Sequence, residues 1–224
     1  MILKKLGYDF YDRLYHLSYG MVELPSGRMK TREGTVVDAD DLVDEMIKIS
    51  KEKTEALGKV SDFTPAQLEE LYNTIGLGAL KFFLLRVDPK KKMIFNPEES
   101  IDFHGFTGPF IQYTHARIKS ILRKTGTAVT LTSNELLPLE KQLAIELSLF
   151  PAIINEAADN LDPSKIAIYA FNLAKLFNTF YTEHSIANAD TDTKKQLRIK
   201  IGILTAATLQ KAMGCLGIAV PEQM

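Results

Sequence analysis

The sequence has 224 residues, with a single cysteine, Cys215, and no apolar run long enough to cross a membrane. One cysteine allows no internal disulfide, which favours a reducing, cytoplasmic location. Cys215 lies among Met213, Leu216 and Ile218, and no basic neighbour would stabilise a thiolate there. We therefore expect it to be a small buried hydrophobe. The first residues also lack the apolar core and cleavage site of a signal peptide.

Most short motifs that mark common active sites are missing as well. The sequence contains no P-loop, no Gly-x-Ser-x-Gly elbow and no Cys/His metal cluster. The acidic residues between Asp38 and Asp44 lack the spacing of a calcium loop, and they fit helix caps and a solvated face better. We therefore expect no protein-bound metal in this chain.

The charges are balanced overall but not locally. Lysine and arginine contribute 27 residues and aspartate and glutamate 28, yet no acid occurs from Phe103 to Asn134. On a helical wheel the polar side chains of this window form two adjacent faces: Tyr113, Arg117, Ser120 and Lys124, and then Gln112, Lys119 and Arg123. An aromatic ring beside cations can stack on an unpaired base while its phosphates are bound. A solvated basic face with Tyr113 half-buried against the core fits the same pattern.

Apolar periodicity and capping signals predict a mainly helical chain, with strands only before about residue 38 (His16–Leu24 and Thr35–Val37). The first long helix is expected to be capped by Asp40 and closed by Gly58, and the second to start with a capping box at Thr64–Gln67. Four more helices are predicted: Thr107–Lys124, Leu136 to about Asn160 with a bend or break at Pro151, one begun by Asp162 and Pro163, and Thr191–Leu216. Their apolar stripes and short links predict a bundle.

His115 shares a helical face with Ile111, Ile118 and Leu122, so we expect a packed, hydrogen-bonded histidine and not a ligand or a base.

The segment from Lys90 to Phe103 has the composition of a connector, and we predict the domain boundary there, between residues 1–95 and 96–224. By composition alone, an ordinary surface loop fits this segment equally well.

A second basic segment lies between Pro25 and Gly34, where glycines flank Arg28, Lys30 and Arg32. Such a loop can fold over a polyphosphate and place positive charge where a leaving pyrophosphate develops negative charge. Taken alone, the loop fits a solvated turn better.

Two runs of residues resemble one known family. Residues 107–117 (Thr-Gly-Pro-Phe-Ile-Gln-Tyr-Thr-His-Ala-Arg) closely resemble the helix that opens the anticodon-binding domain of arginyl-tRNA synthetases. Residues 19–32 resemble the end of the catalytic domain in the same family, with Lys30, Thr31 and Arg32 on its mobile signature loop. Residues 78–85, 95–97, 164–181 and 216–224 are similar to later parts of the same enzymes.

The resemblance implies a mainly α fold: a helical-bundle anticodon-binding domain preceded by a helical connector and a short strand-bearing remnant of a Rossmann catalytic domain. It implies ATP-dependent attachment of arginine to its tRNA in the full enzyme, with Mg²⁺ accompanying ATP, in a cytoplasmic monomer. It gives Arg28, Lys30 and Arg32 catalytic roles and places Met29, Lys30 and Thr31 beside the ATP phosphates. The residues expected to contact tRNA are those of the two polar helix faces, Gln112, Tyr113, Arg117, Lys119, Arg123 and Lys124, to which the resemblance adds Arg198 and Met224.

The sequence lacks several parts of the complete family pattern. No two histidines have the three-residue separation of the other class I signature, and most of the Rossmann domain and the N-terminal tRNA-elbow domain are missing. We therefore expect part of a longer enzyme, inactive by itself. A non-catalytic tRNA- or RNA-binding module and a purely structural bundle are the alternatives.

Overall fold

The chain is mainly helical in a computed structural model that describes residues 2–25, 38–56, 58, 62–130 and 135–224. The described elements, in chain order, are α1 (Ile2–Lys5), β1 (Val22–Glu23), α2 (Ala39–Ala56), α3 (Pro65–Leu85), β2 (Met93–Ile94), α4 (Pro97–Ser100), α5 (Gly108–Thr125), α6 (Pro138–Asn160), α7 (Ser164–Glu183) and α8 (Asp192–Cys215). Helices α5 to α8 pack on one another as the predicted bundle, and α2 and α3 pack together before it.

Local capping explains where three of the long helices begin. The Thr64 side chain accepts a hydrogen bond from the Gln67 N–H, and the Gln67 side chain caps the Thr64 backbone in return. Thr107 and Thr191 accept in the same way at the starts of α5 and α8. Beyond α8, Gly217 adopts a φ of +67°, a left-handed conformation that favours glycine at a helix end. These predicted starts and stops are confirmed.

The structure corrects the predicted start of one helix and excludes the predicted break, though not a bend, in another. Helix α2 begins at Ala39, one residue before the expected cap, because the Asp38 carboxylate accepts the hydrogen bond from the Asp40 N–H and leaves Asp40 inside the first turn. Helix α6 runs unbroken through Pro151.

The strands differ from prediction in length and in partner. Only Val22–Glu23 is a strand within the expected His16–Leu24 segment, and it pairs in parallel with Met93–Ile94. The second strand lies inside the segment predicted as a connector, so strands are not confined to residues before 38. Flanking bonds from Gly20 N to Pro89 O (2.6 Å) and from Phe95 N to Glu23 O (2.7 Å) extend the pairing. The expected strand Thr35–Val37 lies outside the described residues.

Helix α3 separates two hydrophobic cores. The larger core fills the bundle and includes Phe82 from α3, whereas Leu80 and Phe83 belong to the smaller core that α3 shares with α2 and residues 93–101. Helices α3 and α5 approach closely through two glycines, since a Cβ atom on Gly108 would lie 2.7 Å from the Gly78 carbonyl oxygen. This close contact joins the bundle to the preceding helices.

Cys215 is exposed, and the expectation of a buried hydrophobe is wrong. It is the last residue of α8. The nearby side chains of Met213 and Leu216 are the ones that face the core.

None of the helices that the structure describes is long and apolar enough to cross a membrane.

Candidate nucleic-acid interface

A cleft of about 730 Å³ opens between α5, the end of α7 and the loop that follows it, residues between α2 and α3, and the last residues of the sequence. Its lining combines aromatic rings, cations, small polar groups, aliphatic side chains and one carboxylate: Gly58, Asp62, Phe63, Tyr113, Ala116, Arg117, Ser120, Ile121, Arg123, Lys124, Thr125, Tyr181, Ser185, Ile186, Ala187, Gln223 and Met224. Rings for stacking and cations for phosphates are the two components that single-stranded nucleic-acid sites share.

One face of α5 supplies the basic wall of this cleft. Tyr113, Arg117, Ser120 and Lys124 recur at helical spacing and all line it, which confirms the predicted shared face. The helix is oriented this way because Ile111, Ile118 and Leu122 on its opposite side are buried in the bundle core.

Arg117 is held in place by its neighbours. Its guanidinium carbon lies 4.7 Å from the centre of the Tyr113 ring, and its Nη1 donates to Asn178 Oδ1 at 2.8 Å. Asn178 Nδ2 in turn donates to Thr114 Oγ1 at 2.8 Å. The Phe103 ring meets Tyr113 edge-on with the ring centres 6.5 Å apart. Tyr113 and Arg117 therefore form a preorganised aromatic–cation pair.

Part of the positive charge on α5 is neutralised within the chain. The Lys119 ammonium group lies 3.0 Å from the Glu222 carboxylate, and Arg123 Nη1 donates to the Glu222 carbonyl oxygen at 3.0 Å. Lys124 is exposed to solvent. Both Lys119 and Arg123 thus contact the segment that follows α8, a role that the helical wheel did not predict.

A buried ion network holds the loop after α7 that lines the cleft. Arg198, only 4% exposed, donates from Nη1 to the carbonyl oxygen of Ser185 at 2.7 Å and from Nε to Glu140 at 3.0 Å. Lys194 donates to the same carboxylate at 2.7 Å. Arg198 therefore lies in the interior, where it positions the cleft loop; the resemblance had assigned it to tRNA.

Glu140, fully buried, is a central residue that sequence reasoning missed. Burial by itself raises the pKa of this carboxyl, but hydrogen bonds from Lys194, the Leu137 backbone and Arg198 outweigh burial, and the net pKa is lowered. The one sequence signal was its position as the third residue of a proline-initiated helix, where it accepts a bond from the Leu137 N–H at 2.9 Å.

Gln112 and Met224, the remaining predicted tRNA residues, occupy different environments. Gln112 is fully buried between α3 and α5, and its Nε2 donates to the carbonyl oxygens of Thr74 (3.0 Å) and Ala219 (2.8 Å). Its side chain is therefore not part of the cleft surface. Met224 lines the cleft and is partly buried there.

The segment predicted to be catalytic lies outside the described residues. It contains Arg28, Met29, Lys30, Thr31 and Arg32. In the part of the chain that is described, no group of three or more His, Cys, Asp or Glu side chains could hold a metal ion.

Two family models match the chain in succession. Residues 1–96 match the catalytic domain of the class I (R) tRNA synthetases, and residues 111–224 match the DALR anticodon binding domain. The cleft side chains of α5, α7 and the segment after α8 all fall within the second match.

Curated relatives are similar in sequence over the whole chain. An arginine–tRNA ligase of Flavobacterium psychrophilum is 53% identical over 225 residues, which cover 100% of this chain and 37% of that protein. An arginine–tRNA ligase of Amoebophilus asiaticus is 47% identical over 232 residues, covering 100% of this chain and 39% of that protein. The chain thus spans less than two fifths of the length of these relatives.

Solved structures show the same architecture. The arginyl-tRNA synthetase of Thermus thermophilus matches 99% of this chain and 38% of its own, with a TM-score of 0.89 and 30% identity. The arginyl-tRNA synthetase of Plasmodium falciparum matches 93% of this chain and 35% of its own with a TM-score of 0.73; at 22% identity this likeness concerns the fold alone. The chain therefore belongs to the DALR anticodon binding domain family, and the residues that precede this domain match part of the class I (R) tRNA synthetase catalytic domain.

Proposed function

We propose that the chain is part of an arginine–tRNA ligase and that its cleft binds the anticodon loop of the tRNA. The observation that carries this proposal is the meeting of Tyr113, Arg117 and Lys124 in one cleft within the anticodon binding domain match. An anticodon loop offers unpaired bases and a dense phosphate backbone, and these are the groups that rings and cations bind.

The geometry suggests a division of roles within the cleft. Tyr113 stacks on a splayed base, and Arg117, already oriented by Asn178, meets an adjacent phosphate without losing much side-chain freedom. Lys124 contributes a second phosphate contact. Met224 adds an apolar surface beside the base.

The enzyme activity belongs to the longer protein. In it, Arg28, Lys30 and Arg32 face the phosphates of ATP beside Met29 and Thr31, and arginine is activated before transfer to the tRNA. The resemblance also predicts that Mg²⁺ accompanies this ATP. This chain alone should not activate arginine, because the sequence has no histidine pair of the class I spacing to position substrates.

Three further points belong to the same proposal. We place the domain boundary between residues 95 and 96, with α3 contributing to the cores on both sides. We propose a monomer, which sedimentation at several concentrations would test. We also propose a cytoplasmic location, supported by the single cysteine.

The test is binding of an arginine-specific tRNA and of an unrelated tRNA to the 224-residue chain across a salt series. Tyr113→Ala should cost about 1–3 kcal/mol of affinity with little salt dependence, the usual value of one stacked base. Tyr15→Ala removes an exposed tyrosine outside the cleft and serves as the matched control. Unchanged affinity of a folded Tyr113→Ala chain would remove the stacking role.

Lys124→Ala should weaken binding of both tRNAs alike and reduce the salt slope by about one unit, as expected for one lost phosphate contact. Lys211→Ala, which removes an exposed lysine that does not line the cleft, is its control. Equal effects of the two lysine variants would show that the cleft has no special part in binding.

A further inference from the structure

Residues 217–224, here called the tail segment, are held along their length by side chains of α3 and α5. Lys81 Nζ donates to the Gly217 carbonyl oxygen at 2.8 Å, Gln112 Nε2 to that of Ala219 at 2.8 Å, and His115 Nδ1 lies 2.9 Å from that of Pro221. Every second carbonyl group is bound in this way. Between them, Ile218 is buried and Val220 packs against the bundle core.

The position of the Gln112 side chain depends on a close approach between α3 and α5. A Cβ atom at Gly78 would collide with the Gln112 amide, so only glycine leaves room for it. The amide donates at once to Thr74 of α3 and to Ala219 of the tail segment, and thereby connects three parts of the chain.

His115 requires one particular protonation pattern. It is fully buried, and its Nδ1 must carry the hydrogen to donate to the Pro221 carbonyl oxygen, while no partner of Nε2 is found among the described residues. Burial is the main cause that lowers the pKa of His115, which favours this neutral form.

The tail segment ends in the cleft. Lys119 and Arg123 bind Glu222 through its carboxylate and its carbonyl oxygen, and the next two residues, Gln223 and Met224, line the cleft beside α5. Lys81, Gln112, His115, Lys119 and Arg123, here called the tail clamp, therefore set the position of one cleft wall.

We propose that Lys81, Gln112 and His115 are positioning residues: they control RNA affinity by holding the tail segment, so that Gln223 and Met224 contact the RNA, without touching the RNA themselves. This inference rests on the function proposed above. It gives Gln112 a part in RNA binding that its burial would otherwise exclude.

The test measures the dissociation constant of the chain for an RNA stem-loop carrying the anticodon arm of an arginine-specific tRNA. Gln112→Met keeps the length of the side chain but removes both donated bonds, and Lys81→Met removes one bond at an exposed position. Each should weaken binding by roughly 3- to 30-fold. Lys165→Met, which deletes the same charge from α7 outside the cleft, should have a smaller effect.

Two substitutions of His115 test whether its hydrogen bond to the tail segment is what maintains RNA affinity. An asparagine amide can donate from nearly the same place as Nδ1, so His115→Asn should keep most of the affinity, whereas His115→Leu should lose as much as Gln112→Met. A purely structural role would make affinity follow melting temperature in both variants. If Gln112→Met fails to fold, the exposed Lys81→Met variant decides in its place.

The deciding experiment asks whether Lys81 and Gln112 affect RNA affinity through Gln223 and Met224. In a chain that already carries Gln223→Ala and Met224→Ala, the Lys81→Met and Gln112→Met changes should have no further effect on affinity. Equal losses in both backgrounds would overturn the inference, as would unchanged binding by the Gln223→Ala, Met224→Ala chain. No binding by the unaltered chain would instead overturn the proposed function, and with it the role of the clamp in RNA affinity.

Discussion

The four-helix bundle and residues 2–21 distribute their apolar side chains in opposite ways. Phe177 and Phe180 in the bundle are fully buried, together with most of the apolar residues of α7. In residues 2–21 no side chain is buried, and Ile2 and Tyr19 are 75% and 85% exposed. The bundle thus completes its own core, whereas the first segment carries apolar side chains that the rest of the described chain does not cover.

The difference shows how much of each region depends on residues elsewhere. The chain spans 37% of its Flavobacterium psychrophilum relative, and residues 1–96 match a catalytic domain. We expect the remainder of that domain to cover the apolar surface of residues 2–21 in the longer protein. A large exposed apolar patch is the usual sign of such a missing contact.

The largest contrast should come from one substitution made in both regions. Phe177→Ala removes a fully buried ring and should lower the free energy of unfolding by about 3–5 kcal/mol through lost burial and the cavity left behind. Phe10→Ala, at a ring that is 41% exposed, should leave it nearly unchanged. Urea unfolding followed by circular dichroism measures both, and similar losses would show that the first segment is packed after all.

A second contrast concerns buried and exposed carboxylates. Glu140→Ala leaves Arg198 buried without its anion and should cost about 3–5 kcal/mol of unfolding free energy. Glu156→Ala breaks the solvent-exposed pair with Lys165 and should change stability very little. A small effect at Glu140 would mean that water or a rearranged partner compensates Arg198. The same urea titrations decide the comparison.

A third, smaller effect is the dependence of bundle stability on pH. Burial lowers the pKa of His115, although the hydrogen bond to Pro221 and the Glu222 charge oppose it and Lys119 adds to it. An unfolded histidine, with a pKa of about 6.5, binds a proton more readily, so unfolding becomes easier as the pH falls below that value.

The free energy of unfolding should therefore decrease by at most about 1.4 kcal/mol per pH unit as the pH drops from about 7 to about 5. His115→Asn cannot titrate and should flatten this slope. Urea unfolding at several pH values measures it, and an equal slope in the variant would assign the dependence to other groups. Glu140 has a lowered pKa, so its contribution is lost only at still lower pH.

The smallest effect on stability should follow deletion of residues 2–18, which leaves β1 and its pairing with β2 intact. Because no side chain in this segment is buried, the melting temperature should stay nearly constant. Binding of the apolar-surface dye anilinonaphthalene sulfonate should nevertheless decrease. A large drop in melting temperature would contradict the contrast between the two regions.

The correct sequence predictions concern interactions between near neighbours. The caps at Thr64, Thr107 and Thr191 bond to backbone groups three residues away, and the apolar stripe of α5 follows from helical spacing. The shared face of Tyr113, Arg117 and Lys124 could be predicted for the same reason. Residue types within one or two turns are sufficient to specify such contacts.

The wrong or missing predictions concern partners far apart in the chain. Strands β1 and β2 are too short to show an alternating pattern, and each is extended because the other binds it. Cys215 was expected inside because its neighbours are apolar, but neighbouring residues on a helix point in different directions.

The sequence by itself determined the long helices, the capped starts at Thr64, Thr107 and Thr191, the basic face of α5 and the family resemblance, since these depend on local spacing and on residue identity. Only the tertiary structure decided that Gln112 faces the interior, that Glu140 joins Arg198 across 58 residues, and that the tail segment lies along α5 into the cleft. A helical wheel shows which side chains share a face, but whether that face meets water, another helix or the tail segment depends on how the distant elements pack.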